Sequence, residues 1–202
     1  MDAIPQNIEL PETIGVIALP GTILFPNALL PLYIFEPRYR EMLTSSLSDD
    51  RVFGVTMQQE GDDQVHTVGG AGLVRACVLN PDGTSHLILH GLARVRFSEW
   101  VQTDPYRIAR IENLKSCNTE DPEAAELATA VRDLCRGLRD RGYQLPEHFE
   151  AYLADADSPE ALSNAVCSTL IPDAETRQAL LQELNVTARL RGFLECLQRQ
   201  LD

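Results

Sequence analysis

Lysine is nearly missing from this sequence: Lys115 is the single one among 202 residues, and 17 basic residues stand against 30 acidic ones, a formal net charge of −13. The deficit runs along the whole chain, with 9 basic and 14 acidic residues over 1–115 and 8 and 16 over 116–202. A generally cationic surface is therefore excluded, which makes a phosphate backbone a poor partner. Paired cysteines are missing too. Cys77, Cys117, Cys135, Cys167 and Cys196 are odd in number and widely spread, with no C-x-x-C. They indicate neither a disulfide framework nor a zinc knuckle, and a reducing compartment is expected. Cys135, Cys167 and Cys196 fall in apolar helical patterns and read as small buried hydrophobes.

Long apolar runs are also absent. The most apolar stretch, TILFPNALLPLYIF, is broken by Pro26 and Pro31 and falls short of the roughly 18 apolar residues of a membrane span. It reads as buried strands and turns. The start, MDAIPQNIELPE, lacks both the basic and the apolar regions of a secretory signal, so a cytoplasmic protein with no membrane association is expected. No H-E-x-x-H occurs; His148, beside Glu147 and Glu150 in PEHFEAYL, reads as a helix-surface residue. His86 and His90 share a strand face but stand roughly 13 Å apart at that spacing, too far to chelate one ion unaided. His66 and Cys77 add no ligand spacing, so neither metal nor cofactor is expected.

What is present is an ordinary folded composition, 44% hydrophobic and 23% charged, in a chain long enough for one substantial core or two modest ones. From Ile14 to about Leu114, apolar runs punctuated by turn formers predict strands: IGVIAL, ALLPLYIF, RVFGVTMQ, AGLVRACVLN, SHLILHGLARVRFSEWV and YRIARIENL. Asn80-Pro81-Asp82-Gly83 predicts a hairpin turn, with Gly83 supplying positive φ. The last strand departs from strict alternation, which a bulge would reconcile. EPRYREMLTSSL opens with proline and spaces Tyr39, Met42 and Leu43 as a helix does, predicting a short helix that plugs or covers a barrel.

After Lys115 the period changes. Leu127, Val131, Leu134 and Leu138 recur at helical spacing behind a cap at Asp121, with Pro122 in the first turn and Gly142 at the end. Ser158-Pro159-Glu160 and Pro172-Asp173 repeat that start chemistry, opening helices through Leu162, Val166 and Leu170, then Leu180, Leu181 and Leu184. Asn185 is placed to cap a last helix, whose stripe of Leu190, Phe193, Leu194, Leu197 and Leu201 needs covering by other helices or by a partner. The fold class is thus α+β, a β-rich lobe over 1–115 followed by a helical bundle over 116–202.

Three segments together resemble the amino-terminal, substrate-binding domain of the Lon proteases, especially its short stand-alone bacterial members. They are IGVIALPGTILFPNALLPLYIFEPRYREML, with its closing F-E-P-R-Y; VGGAGLVRACVLNPDGTSHLILHGLARVRF, ending in G-x-x-R-x-R-F; and LIPDAETRQALLQELNVTARLRGFLECL. The resemblance implies a PUA-like β pseudo-barrel followed by helices, and a role in substrate selection. Asn27 stands where many relatives carry glycine, at a position expected to need a left-handed turn. The G-x-x-x-x-G-K-[ST] loop that ATP hydrolysis needs in full-length Lon does not occur, and a serine–lysine protease pair has only Lys115 to draw on, which reads as a solvated linker charge. The expectation is a complete two-lobe module ending where an ATPase would begin.

The candidate binding residues are Phe35, Glu36, Arg38 and Tyr39 of F-E-P-R-Y, with Arg94 and Arg96 of G-L-A-R-V-R-F. Arg94 and Arg96 share one side of their strand, opposite Ala93, Val95 and Phe97. Arg38 sits in a first helical turn, where the dipole disfavours a cation, so a carboxylate partner is expected. Two readings stand open. Glu36 pairs internally with a strand arginine and these residues hold the barrel together; or Phe35, Arg38 and Tyr39 form a peptide-binding surface. The functional expectation is a non-enzymatic module that recognises unfolded or exposed polypeptide segments, with an ATP-dependent protease or chaperone as partner. The alternatives are RNA binding, by analogy with other PUA-like barrels and against the charge, and an enzyme using acidic residues or a cysteine in a cleft, for which no nucleophile–base constellation is recognisable.

Overall fold

The computed structural model describes residues 9–59, 64–146 and 149–201, the side chains of Gln200 and Leu201 excepted. Six strands come first, β1 (Thr13–Pro20), β2 (Leu29–Ile34), β3 (Val52–Gln58), β4 (Val68–Leu79), β5 (Ser85–Gln102) and β6 (Arg107–Leu114), with helix α1 (Pro37–Ser48) between β2 and β3. Helices α2 (Pro122–Asp140), α3 (Phe149–Asp155), α4 (Pro159–Leu170), α5 (Ala174–Gln182) and α6 (Val186–Leu201) follow. The order of strands, one early helix and a helical second half agrees with the sequence periodicity.

The strands form one sheet in the order β2-β5-β4-β3-β1-β6, and β5 also pairs with β6. Five strands therefore close into a ring, and β2 is left outside it, on the first half of β5. The length of β5 makes this possible: Ser85–His90 pair with β2, whereas Arg94–Gln102 pair with β6. The bulges that reconcile β5 with β6 lie in β5, near Ser98 and Val101, and not in the YRIARIENL strand, which keeps an unbroken register. At Asn80–Gly83 the amide of Gly83 donates to the Asn80 carbonyl, 2.9 Å, and Gly83 has φ +81°, as the turn sequence predicts.

Two apolar clusters divide the sheet. Ile14, Val16, Val52, Ala71, Val95, Phe97 and Ala109 fill the ring. The other cluster lies on the opposite side and runs without a break from Ile17, Leu24, Phe25, Leu87 and Leu89 into α2, α4 and α6 through Val131, Leu162, Val166, Leu190 and Phe193. Two glycines allow the β1–β2 connection to lie flat on the sheet. A Cβ at Gly70 or Gly91 would stand 2.2 or 2.0 Å from the carbonyl oxygen of Leu24 or Phe25, so only glycine permits the approach that buries both side chains. Asn27, with φ +65°, then turns the chain into β2 through the left-handed conformation that asparagine tolerates.

Helix α1 covers the ring rather than plugging it. Tyr39, Met42 and Leu43 pack in the cluster outside the ring, with Ile17, Phe53 and Val55. Strand β6 pairs β1 only as far as Val16. Beyond that point the Ala18 amide donates to the Tyr39 hydroxyl, 3.3 Å, which in turn donates to the Ala18 carbonyl, 3.0 Å.

The later helices start where their caps predict. Asp121 accepts from the Glu123 amide, Ser158 from Ala161 and Asp173 from Thr176, and Asn185 Oδ1 accepts from the Ala188 amide at 3.0 Å. Helix α5 stops at Gln182, so Leu184, expected on its apolar face, lies in the connection to α6. Leu190, Phe193 and Leu197 are buried in the shared cluster with residues of α2 and α4; the Leu201 side chain and His148 lie outside the described residues.

Candidate functional site

The register shows which side of the sheet stays uncovered. Leu92 is an extra residue in β5 between the Ala71–Ala93 and Gly72–Gly91 pairs, and Arg75 an extra residue in β4 between the Val74–Leu89 and Ala76–Ile88 pairs. Counting through these bulges, the side carrying Ala71, Val95 and Phe97 inside the ring continues to Ala76, Val78, His86 and Ile88, and across to Leu29, Pro31 and Tyr33 of β2. Where the ring is closed, this side is packed. Past the closure no strand among the described residues opposes it, and Leu29, Tyr33, Phe35, Val78 and Ile88 keep between 40% and 64% of their surface exposed.

The result is an open groove of about 450 Å³ lined by Pro31, Leu32, Tyr33, Ala76, Val78, His86, Leu87 and Ile88. Tyr33 and His86 stack with ring centroids 4.6 Å apart, and Phe35 extends the row at 5.7 Å from Tyr33. A contiguous apolar face on a folded domain is a candidate interaction site. ALLPLYIF, expected from its sequence to form a buried strand, is covered on one side only. Both faces of β2 are apolar, but only Leu30, Leu32 and Ile34 turn toward the covered cluster.

His90 lies where the face passes into the ring, 8% exposed, with no hydrogen-bond partner for Nδ1. Burial first, and the nearby Arg75 second, lower its pKa below the ordinary histidine value. The open-ended face thus meets the barrel interior at an imidazole held toward its neutral form.

The six residues singled out from sequence separate in space. Phe35 joins the exposed aromatic row, with Glu36 and Arg38 just beyond it. Glu36 accepts from Arg38 Nε at 2.9 Å, so its partner is its own neighbour and not a strand arginine; Arg38 also lies over the Tyr39 ring, 4.6 Å from its centroid. Tyr39 is buried and holds α1 to β1. Arg94 and Arg96 do share a strand side, but the helices cover only Arg94. Arg96 is exposed and pairs with Glu112 at 3.3 Å, roughly 27 Å along β5 from Ile88 at the usual rise per residue.

Arg94 is 2% exposed and is spent on joining sheet to helices: Nε donates to the Leu181 carbonyl, 2.9 Å, and Nη2 to Asn164 Oδ1, 2.5 Å. Arg189 of α6, also fully buried, shares that Asn164 oxygen at 3.1 Å and donates to Ser163 Oγ at 2.9 Å. Burial chiefly, then the neighbouring Arg189, push Arg94 down to about 9, while Glu160 opposes the shift; the guanidinium remains charged at neutral pH. The cysteines give no reactive thiol among the buried ones, since burial raises Cys135 to about 11 and Cys167 to about 12. Among the described residues no cluster of His, Cys, Asp or Glu could hold a metal ion, and no helix is long and apolar enough to cross a membrane.

The uncovered apolar face lies on the side of the sheet opposite Arg94, whose donors are committed to the helices. The family model described as the ATP-dependent protease La (LON) substrate-binding domain matches residues 13–199, and the chain belongs to that family. It is 24% identical over 201 residues to the Lon protease of Desulfosudis oleivorans, covering 96% of this chain and 25% of that protein. With Lon protease 2 of Thermus thermophilus the identity is 28% over 200 residues, covering 95% and 25%. The chain thus spans about a quarter of the length of these relatives. Its fold is shared with the Lon N-terminal domain protein from Xanthomonas campestris, TM-score 0.67 at 21% identity, over 91% of this chain and 97% of that one. The N-terminal domain of Mycobacterium avium complex Lon protease gives TM-score 0.70 at 16% identity, over 91% and 96%.

Proposed function

We propose that the chain is a non-catalytic recognition module that binds exposed apolar segments of unfolded polypeptides on the β2–β5–β4 face. In this role it serves cytoplasmic protein quality control and delivers clients to an ATP-dependent protease or chaperone. The observation that carries the reading is the uncovered continuation of the barrel's apolar side, where Leu29, Tyr33, Phe35, Val78 and Ile88 stand exposed. Membership of a substrate-binding family supports it, as does the sequence's lack of a phosphate-cradling G-x-x-x-x-G-K-[ST] loop. Of the earlier candidates, Phe35 belongs to the binding surface, with Glu36 and Arg38 at its border; Tyr39 and Arg94 serve the fold, and Arg96 stands apart in an exposed pair with Glu112.

Calorimetry with apolar peptides or an unfolded client tests the proposal. Binding is expected to fall at least tenfold in Tyr33→Ser and Ile88→Ser while the unfolding midpoint stays near that of the parent, because both side chains are already solvent-exposed. Equal binding by the parent and both variants would remove this face from the function. RNA is the disfavoured partner on a molecule of net charge −13; no association with RNA that weakens on adding salt is expected.

A further inference from the structure

The hydrogen-bond phase of β2 fixes which of its backbone groups face the open edge. The Gly91 amide donates to the Ala28 carbonyl at 2.9 Å, and Ala28 and Gly91 stand in the same register as Leu30–Leu89, Leu32–Leu87 and Ile34–Ser85. In an antiparallel pair the bonded residues alternate, so Leu30, Leu32 and Ile34 turn their backbone groups to β5, and Leu29, Pro31 and Tyr33 turn theirs to the open edge. Proline has no N–H to offer there. The Tyr152 hydroxyl from α3 donates to the Asn27 carbonyl, just before this end of β2. The open edge of β2 therefore offers amide donors at Leu29 and Tyr33 and none at Pro31 between them. The edge is thus blunted at its centre by proline, one of the devices by which proteins disfavour strand addition.

The side chains of the same three residues point onto the apolar face. Leu29 to Tyr33 spans about 14 Å at the rise of an extended strand, with successive face positions about 7 Å apart. Eight residues line the groove, well below the roughly 20–30 per side of a stable interface between folded proteins. The groove by itself is sized for a short extended segment.

Resting on the binding role proposed above, we infer that the client is an extended segment of about five residues with bulky apolar side chains at alternate positions, read by its side chains and not added to the edge of β2. Pro31 breaks the row of edge donors, so recognition depends on side-chain spacing and is indifferent to main-chain amides.

Fluorescence anisotropy with the whole chain separates the cases. The probes are a labelled peptide with apolar residues at i, i+2 and i+4, two versions N-methylated on one or the other alternate set of amides, and one version rearranged to helical i, i+3, i+4 spacing. Both methylated peptides are expected to bind within about threefold of the parent, and the rearranged peptide at least tenfold more weakly, with all binding reduced in Ile88→Ser. A tenfold loss on methylating either set would establish strand addition and overturn the inference while leaving the face in place. Equal binding of the rearranged peptide would overturn the extended conformation. If the parent peptide does not bind, or binds Ile88→Ser equally well, the face itself is the wrong site and the functional reading fails first.

Discussion

Arg94 and Arg96 are two residues apart on one strand and chemically identical, yet one is fully buried and the other half in water. Arg94 is fixed by the Leu181 carbonyl and by Asn164, whose oxygen it shares with Arg189. Arg94→Ala is expected to destabilise the fold by about 3 kcal/mol, since buried acceptors lose their donor, and Arg94→Lys should recover only part of this because an ammonium lacks the guanidinium's fork; urea unfolding measures both. Arg96→Ala should leave the midpoint nearly unchanged, as exposed pairs contribute little. His90 gives a pH signature. Its folded pKa lies below its unfolded value, so the unfolded state takes up more protons on acidification. The stability present above about pH 6.5 is therefore lost as pH falls through that value toward the folded pKa. Urea midpoints at pH 7.5 and 5.5 should show a drop that His90→Gln reduces; an unchanged drop would remove His90 as its source.

At the scale of elements, the helices start where their caps are legible. Ser158→Ala is expected to lower stability by about 1 kcal/mol, the usual contribution of a capping hydroxyl, measurable by thermal or urea unfolding with client binding unaffected. Elements whose limits depend on partners were less legible. Helix α5 ends before Leu184, where the Arg189 guanidinium collects the carbonyls of Glu183 and Leu184; nothing local in QELNV announces that arrangement. The bulges of β5 near Ser98 and Val101 are likewise set by closing the ring onto β6, and alternation within either strand does not reveal which one yields. The exposed row of β2 was hidden for a related reason. In ALLPLYIF both alternating sets are apolar, and period alone does not say which set has a layer of protein above it.

For the whole molecule, we propose that the sequence division near residue 115 separates two lobes that unfold as one unit. The cluster outside the ring is continuous across it, and Arg94, Gln178 and Arg177 bridge it by bonds to the Leu181, Val68 and Gly21 carbonyls. A chain cut after Lys115 would leave Leu24, Phe25 and Leu89 without the helices they pack with. It is expected to show no cooperative thermal transition and to bind a hydrophobic dye, whereas the full chain should melt in a single transition by both circular dichroism and calorimetry. Two separate transitions in the full chain would show instead that the lobes are independent.

The sequence by itself determined the elements, their order and the family. Local period, turn chemistry and capping act over a few residues and do not wait for the rest of the chain. It also excluded a broadly cationic surface, because net charge is a sum that folding does not alter. Only the tertiary structure decided which apolar side chains remain in water and which arginine is spent on the core. Both depend on where β5 stops pairing with β2 and starts pairing with β6, contacts between residues distant in sequence, and it is past that closure that the barrel's interior side becomes an open face.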